Sequence, residues 1–293
     1  MNNIMSTIQQ KGLNGLIKAL WGRVHKSKAR YYHVVKEIVS SGYGLEIGGI
    51  SSVFKKNGIL PIYSYVSNLD NCNFSHTTVW EGDINQGFTY HYDKNHKNGQ
   101  QFLLEATDLY EIKNDTYDFL LSSHMIEHTA NPIKSLKEWI RVVIPGGHLI
   151  LLIPHKDGTF DHNRPVTTLK HLIQDYNDNI KEDDLTHLDE ILKLHDLSMD
   201  LEAGSHQEFH ERSKKNSENR CLHHHVFDSH IAVELIDSLN LKIIAVEAIY
   251  PMHILIVAQK PIVEDVNNNE IFEYIKSYKF NTPFPSDRVL RCK

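Results

Sequence analysis

The segment that most constrains the fold of this chain is residues 117–154, which read YDFLLSSHMIEHTANPIKSLKEWIRVVIPGGHLILLIP. Two short continuous apolar runs, at 119–121 and 149–153, are typical of parallel strands that are buried on both faces of a sheet. Between them, Asn131-Pro132 marks the start of a helix and Pro145-Gly146-Gly147 its end and a turn. Apolar residues recur there at helical spacing: Ile133, Leu136, Ile140 and Val143. The segment therefore predicts a β-α-β unit.

Other parts of the chain supply the remaining elements of such a sheet. Further strands are expected at 44–47, 59–66, 102–104, 242–248 and 253–258, with a helix at 231–239. Strands that alternate with helices build α/β folds in which helices cover both faces of the sheet. The pattern predicts a doubly wound, mostly parallel, seven-stranded α/β sheet of the Rossmann-like kind.

Composition narrows the class of protein. With 41% hydrophobic residues the chain can bury a large core, and its net charge of −6 argues against a general affinity for nucleic acid. Cys72, Cys221 and Cys292 are too few and too widely spaced for a disulfide framework or a zinc pattern, which favours a reducing compartment. No apolar run approaches the roughly 20 residues that a membrane span needs. We expect a cytoplasmic protein without integral membrane association.

The charge and polarity of the sequence change along the chain and divide it into several regions. Residues 1–40 are expected to form a helical leader, since 1–36 hold seven Lys or Arg, no acidic residue and an apolar stripe. Such a helix either makes weak peripheral contact with an anionic membrane or a partner, or packs on its own domain with a solvated basic face. The α/β domain is expected over 41–260, with a polar, histidine-rich cap inserted at 155–229, and a tail over 261–293.

Several polar or glycine residues follow predicted strands, where the loops of a parallel sheet form its binding crevice. Glycine lets the backbone approach a ligand closely, and an acidic residue about 20 positions beyond the glycines is typical of ribose binding. Asp70 lies 22 residues beyond Gly48. The residues expected at this edge are Glu46, Gly48, Gly49, Asp70, Glu105, Ala106, Ser123 and His124.

This order of motifs resembles the class I S-adenosylmethionine-dependent methyltransferases over about residues 44–154, most specifically in YDFLLSSHMIEH and RVVIPGGHLILLIP. The resemblance implies a Rossmann-like methyltransferase fold with S-adenosylmethionine as the cofactor. It implies that Glu46, Gly48 and Gly49 hold the amino-acid part of the cofactor and that Asp70 binds its ribose. Glu105 and Ala106 would contact the adenine of the cofactor, and Ser123 and His124 would face its methyl group. Ile50 and Ser52 stand where relatives commonly have glycines.

The loop at 155–165 follows the fifth predicted strand and so lies beside any cofactor. His155 or His162 could accept a proton from an acceptor hydroxyl, with Asp161 orienting the imidazole. Arg164 could bind a phosphate or carboxylate of the substrate. The alternative is a hydrogen-bonded loop that anchors the cap, with Arg164 in an internal ion pair.

Histidine patterns raise the question of a metal. His124-Met125-Ile126-Glu127-His128 matches the HxxEH zinc pattern, but that motif needs both histidines on one helix, and Asn131-Pro132 leaves no room for one. Of His223, His224 and His225, at most two can share a site, because adjacent side chains point in different directions. We assign no metal ligands from these patterns, which leaves open whether the histidine-rich cap binds a metal, and we expect His224 to line the acceptor pocket.

The predicted function is methyl transfer to an oxygen, or a nitrogen, of a polar small molecule or glycan precursor. Two alternatives stay open: a catalytically inactive binding module of the same fold, and another nucleotide-dependent, sugar-modifying enzyme on the same sheet. The sequence indicates neither the acceptor nor the oligomeric state.

Overall fold

A computed structural model of the protein describes residues 28–263 and 266–289. The apolar stripe of the predicted leader lies outside these residues. What is described of the leader includes helix α1 (Tyr32–Ser40), which buries Val35 and Val39 against the domain. Residues 264–265 and 290–293, in the predicted tail, are also outside.

Ten strands are described, and eight of them form one sheet. They are β1 (Tyr43–Ile47), β2 (Asn68–Asn73), β3 (Thr77–Thr78), β4 (Gly82–Asp83), β5 (Gly87–Tyr90), β6 (Gly99–Leu103), β7 (Tyr117–Ser123), β8 (Val143–Pro154), β9 (Lys242–Ile249) and β10 (His253–Gln259). The order across the sheet is β5-β6-β2-β1-β7-β8-β10-β9, and β3 pairs only with β4 in a separate hairpin.

The central strands β6, β2, β1, β7 and β8 run parallel, whereas β5, β9 and β10 pair with their neighbours antiparallel. The doubly wound, mostly parallel fold is therefore confirmed. The sheet has eight strands rather than seven because β5, which the sequence did not predict, pairs antiparallel with β6 and adds to the edge. The order reverses direction between β1 and β7, the place where ligands bind in open α/β sheets.

The helices cover both faces of this sheet and build the cap. After α1 come α2 (Pro132–Val142), α3 (Leu169–Asn177), α4 (Leu188–Leu194), α5 (His206–Lys214), α6 (Asn216–Asn219), α7 (Ser229–Asp237), α8 (Asn269–Lys276) and α9 (Pro285–Val289). Within the described part of the chain, no helix is both long and apolar enough to cross a membrane.

The predicted β-α-β unit is present as β7, α2 and β8. The side chain of Asn131 caps α2 by accepting a hydrogen bond from the amide of Lys134 at 3.0 Å, as the Asn-Pro start predicted. The Pro-Gly-Gly segment differs from expectation, because it does not turn the chain before the strand. It forms an irregularity within β8, between the pairing of Tyr117 with Val143 and that of Phe119 with His148.

The strand predicted at 59–66 is wrong. The second parallel strand is β2, whereas 59–66 is irregular apart from one 3-10 turn at Tyr63–Tyr65. Its apolar side chains, among them Leu60 and Ile62, are buried by packing under the sheet beside α1. The sequence of β2, NLDNCN, is polar for a central strand, and the side chains of Asp70 and Asn71 are buried there in hydrogen bonds.

The sheet separates two hydrophobic clusters. Along β7, Leu120 packs into the cluster that contains Trp139, while Phe119 and Leu121 pack into the one on the opposite face. Both faces are dry, which explains why the central strands read as continuous apolar runs.

The cap leaves and rejoins the sheet at neighbouring points. His155 forms an isolated parallel bridge with Phe227, and the amide of Lys156 donates to the carbonyl of Phe227 at 2.9 Å. Between these ends, α4, α5 and the segment after α6 enclose a small core of their own, made by Ile191, Ala203, Phe209 and Leu222.

Candidate active site

A glycine turn follows β1 at the reversal point of the sheet. Gly48 and Gly49 both have positive φ angles, 71° and 92°. A Cβ atom on Gly49 would lie 2.3 Å from Oε1 of Glu46, so no side chain fits there. The amide of Gly48 donates to the carbonyl of Cys72 at 2.9 Å, which holds the turn against β2. The glycines thus shape an open backbone surface at this edge.

Glu46 supports that turn from beneath rather than lining the cleft. Its carboxylate is fully buried and accepts hydrogen bonds from the hydroxyls of Tyr63 and Tyr90 at 2.9 and 2.5 Å. Burial raises the pKa of Glu46 to about 8, against the lowering effect of those two hydrogen bonds. The direct cofactor contact expected of Glu46 is therefore not what the structure places there.

Asp70 is also not at the cleft. It lies inside β2, where its carboxylate accepts hydrogen bonds from the hydroxyls of Tyr43 and Tyr117 and from the amide of Gln100. The prediction places the second strand at 59–66, so that Asp70 would follow it, whereas the strand begins at Asn68 and includes Asp70. The residue at the carboxyl end of β2 is Asn73.

A first cavity opens at the ends of β1, β2 and β6. Gly48, Asn73, Glu105 and Ala106 line it, with Arg220 reaching in from the cap. The guanidinium of Arg220 binds the carboxylate of Glu105, with Nη2 and Oε1 2.5 Å apart. Glu105 and Asn73 thus give the cavity a polar edge, which Arg220 of the cap closes.

A second cavity adjoins the first on the side of β8. Gly48, Trp80, His124, Met125 and His128 belong to the walls of both cavities. The second is completed by residues of the glycine turn, the end of β7 and the cap, including Ile50, Ser123, Thr159, Phe160, Met199 and His223. Of the residues expected around the cofactor, Gly48, Gly49, Glu105, Ala106, Ser123 and His124 line these two cavities, whereas Glu46 and Asp70 do not.

His124 lies at the junction of the cavities, with a left-handed backbone (φ 52°). Its Nε2 is 2.7 Å from Nδ1 of His253, at the start of β10. Burial, helped by the neighbouring imidazoles, lowers the pKa of His124 to about 3, and burial lowers that of His253 to about 4. Both rings are thus neutral near pH 7 and share one hydrogen bond.

The chemically most distinctive group in the second cavity is Glu127 with His223. Glu127 is 1% exposed, and neither of its carboxylate oxygens has a hydrogen-bond partner in the described part of the chain. Burial raises its pKa to about 7, against the charge of His223. Nε2 of His223 lies 4.0 Å from Oε1 of Glu127. A buried carboxylate without a partner is costly, so this site is built to receive a polar ligand.

Asp161 orients an imidazole, but that of His223 rather than of His155 or His162. Its Oδ2 is 2.5 Å from Nδ1 of His223, which leaves Nε2 facing the cavity. Burial alone would raise the pKa of Asp161, but His223 and Arg164 lower it to about 2. Burial opposes the charged form of His223, yet Asp161 and Glu127 raise its pKa overall.

The two histidines expected as catalytic bases make structural contacts instead, His155 with the C-terminal tail and His162 within the cap. His155 is fully buried, stacks on Phe284 and places Nε2 3.1 Å from Oδ1 of Asp287. His162 pairs with Asp196 at 2.9 Å. Neither histidine lines a cavity at the sheet edge, so these two expectations are corrected.

The two residues expected to bind substrate are internal as well. Arg164 is 1% exposed and donates to Asp161, Glu190 and the carbonyl of His223, each at 2.8–2.9 Å. Nε2 of His224 lies 2.9 Å from the amide nitrogen of Asn216. The alternative considered for Arg164, an internal ion pair, is the correct one.

Sequence reasoning missed Glu127, His223 and Trp80. Glu127 and His128 were noticed only within the HxxEH pattern, which fails as expected because Ile126–His128 is a single 3-10 turn. His223 carried a signal in the three adjacent histidines, but nothing in the sequence indicated which of them faces the cavity. Trp80 lies between β3 and β4 and is 54% exposed, with its ring 5.1 Å from that of His128.

The first cavity fits the nucleoside end of S-adenosylmethionine. Ile47, Leu104 and Ala106 offer an apolar wall, and Asn73 and Glu105 offer hydrogen-bonding groups at its rim. Base and ribose call for this combination of a flat apolar surface and a few polar groups. The glycine turn leaves open backbone where the two cavities meet.

Two clusters in the described residues could hold a metal ion. One is Glu127, His128 and His223 in the second cavity, and the other is His171, Asp175, His187 and His225 in the cap. The ligand atoms within each cluster lie no more than 4.8 Å apart.

Part of the chain matches a known protein family. The profile of a family described as a methyltransferase domain matches residues 65–151, which run from just before β2 into β8. No curated protein matches the chain significantly.

Several solved structures are weakly similar. A methyltransferase from Aquifex aeolicus is 12% identical, with a TM-score of 0.41, over 79% of this chain and 89% of that one. Others come from Methanosarcina mazei (15% identity, 78% and 98% coverage, TM-score 0.43) and Mesorhizobium loti (11%, 79% and 98%, 0.43). All three are described as dependent on S-adenosylmethionine. Similarities this weak carry no argument about activity or acceptor.

Proposed function

We propose that this chain, part of which matches a methyltransferase domain, is a class I S-adenosylmethionine-dependent methyltransferase that methylates an oxygen, or a nitrogen, of a polar small molecule or glycan precursor. The first cavity holds the cofactor and the second receives the acceptor. Glu127, His223 and Asp161 replace His155 and His162 as the groups that handle the acceptor proton.

The observation that carries this proposal is the shared wall of the two cavities. Gly48, His124 and Met125 border both. A ligand that fills the first cavity and reaches this wall therefore presents its end to whatever occupies the second. Holding two reactants side by side in this way is the main source of rate in a methyl transfer.

When bound, S-adenosylmethionine would be held by the lining of the first cavity, with Gly48, Asn73 and Glu105 among its residues, and would supply an electrophilic methyl group to the acceptor oxygen. The chain's own part is to orient the acceptor and take its proton. Glu127 accepts a hydrogen bond from the acceptor hydroxyl, which satisfies its unpartnered carboxylate. Glu127 takes the acceptor proton as the new bond forms and relays it to Nε2 of His223, 4.0 Å from its Oε1, where Asp161 holds Nδ1 and stabilises the imidazolium.

The cavity's chemistry supports a polar acceptor of modest size. Glu127, His223 and Thr159 bring polar groups to its wall, while Phe160 and Met252 offer apolar contact. Trp80 of the β3–β4 hairpin covers the junction from outside. A buried, acceptor-rich group beside apolar side chains suits a hydroxyl or amine carried on a ring.

The first test measures binding and turnover separately. Calorimetric titration with S-adenosylhomocysteine should give saturable binding to the wild type. A panel of phenols, amino sugars and nucleotide sugars is then tested for release of S-adenosylhomocysteine from S-adenosylmethionine. We expect at least one hydroxylated or amino compound to support turnover.

His223→Gln should lower that turnover by about 10²-fold or more, the range for loss of a general base, with cofactor affinity kept. His162→Gln is the matched control, because its imidazole also pairs with an aspartate but lies outside the cavities. Equal activity of the two variants would remove His223 from the mechanism. Binding of S-adenosylhomocysteine without turnover of any compound would favour an inactive binding module.

A further inference from the structure

The cap contains a second histidine cluster that the methyl transfer does not use. His171 and Asp175 stand one turn apart on the same face of α3, His187 precedes α4, and His225 belongs to the segment that returns to α7. Three separate parts of the cap thus bring three imidazoles and a carboxylate together.

The side chains converge at short range. The Nε2 atoms of His171 and His187 are 3.0 Å apart. Oδ2 of Asp175 lies 3.4 Å from Nε2 of His171 and 3.6 Å from Nε2 of His225. The three imidazole centroids are 4.9, 5.7 and 5.8 Å from one another. A single atom placed among them would be within reach of all four side chains.

Some polar atoms of the cluster have partners, among them Nε2 of His225, which lies 3.2 Å from the carbonyl oxygen of Ala130, but two do not. Oδ2 of Asp175 and Nδ1 of His225 are buried without a hydrogen-bond partner in the described part of the chain. Asp175 is 8% exposed and His225 is 1% exposed. Buried polar atoms without a partner are rare in native proteins, and a bound ion is one of the few things that explain them. Protonating the imidazoles would not help, because like charges would then face one another.

We propose that His171, Asp175, His187 and His225 bind one divalent transition-metal ion of the zinc class. Three imidazole nitrogens and one carboxylate oxygen form a four-ligand set suited to tetrahedral zinc. Calcium and magnesium are disfavoured, because they take mainly oxygen ligands. A full set of four protein ligands leaves no open position, so this ion is structural and not catalytic.

The position of this metal site indicates what the bound ion does for the protein. His225 is two residues from His223, whose imidazole lines the acceptor cavity. An ion held by α3, His187 and His225 therefore fixes the wall that presents His223. His171 keeps 39% of its side chain exposed, which leaves an entry path for the ion. None of the four ligands belongs to the Glu127–His128–His223 group.

The test measures metal content in the full-length protein. Protein from zinc-supplemented cells, dialysed and analysed by mass spectrometry, should contain about one zinc per chain, and EDTA should lower its melting temperature by several degrees, since an ion bound only to the native state stabilises it. His187→Ala and Asp175→Asn should each lose the zinc. His210→Ala, which removes an exposed histidine of the same cap, should keep it.

Glu127→Gln distinguishes this site from the second cavity. Zinc retained in Glu127→Gln but lost from His187→Ala supports the proposal. Zinc lost from Glu127→Gln and retained in His187→Ala would overturn it, as would wild-type protein without zinc and without an EDTA effect. If both cap variants fail to fold, the visible spectrum of cobalt-substituted wild type decides: tetrahedral bands support the site, and octahedral bands refute it.

Discussion

The first cavity, on the cofactor side of the cleft, and the second, on the acceptor side, are lined by different kinds of groups. On the cofactor side, short loops at the ends of β1, β2 and β6 offer backbone, one glycine turn and a few polar groups. On the acceptor side, titratable side chains from β7's loop and from the cap meet in a buried network of Glu127, His223 and Asp161. The topology of the sheet therefore determines which residues line the first cavity, whereas side-chain contacts between distant parts of the chain determine which line the second.

The strongest test of this division is to fill each side separately. Ala106→Trp should weaken binding of S-adenosylhomocysteine by about 100-fold or more, because an indole would occupy the first cavity. Met199→Trp, in the second cavity, should leave that affinity within about twofold and abolish turnover. Calorimetry and a turnover assay measure both. If both variants weaken cofactor binding equally, the two cavities are not separate half-sites.

Glu127→Gln should separate activity from stability on the acceptor side. The neutral amide keeps the shape but loses the carboxylate that orients the acceptor, so turnover should fall about 10-fold to 100-fold. Removing an unpartnered buried carboxylate should at the same time raise the free energy of unfolding by about 1 kcal/mol. Urea unfolding at pH 7.5 measures the second effect. A destabilised variant would show that Glu127 has a partner in the folded protein.

The cofactor side has its own buried carboxyl, Glu46, and its effect should depend on pH. Its pKa rises from 4.5 to about 8 on folding, so the folded state holds a proton that the unfolded state has lost. The resulting stability is present below pH 4.5 and is lost as pH rises through 8. Tyr63, Tyr90 and Glu81 are the titratable groups that face it.

Relative to Glu46→Gln, the wild type should therefore lose up to about 1.4 kcal/mol per pH unit of unfolding free energy between pH 5 and 8. Denaturant melts at several pH values check this. Parallel curves for the two proteins would mean that Glu46 is ionised in the folded state.

The smallest effect is expected where the two sides meet. Trp80→Ala removes an exposed ring that borders both cavities, so cofactor affinity and turnover should each fall by only about threefold to tenfold. Trp80→Phe should restore most of the loss. A change confined to one of the two measurements would assign the hairpin to that side alone.

The success of sequence reasoning follows the same division. The β-α-β unit could be predicted because β7, α2 and β8 are neighbours in the chain and their periodicity is local. Residues that follow a correctly placed strand, such as Gly48, Ala106 and Ser123, then fell at the cleft without further information.

The errors arose where burial and pairing are not local. The apolar residues at 59–66 are buried by packing and not by pairing, while β2 is polar, so Asp70 was placed at the wrong point of its strand. The sequence alone does not distinguish the role of His155 from that of His223. His155 contacts Asp287, which is distant in the sequence, and His223 contacts Asp161, which lies at the other end of the cap.

The bridge between His155 and Phe227 has a consequence for how such an enzyme changes its substrate. Because the two ends of the cap lie side by side, the cap can be lengthened, shortened or exchanged during evolution while the strands of the sheet keep their pairing. A new chemical preference can thus be acquired without rebuilding the machinery that carries the methyl donor.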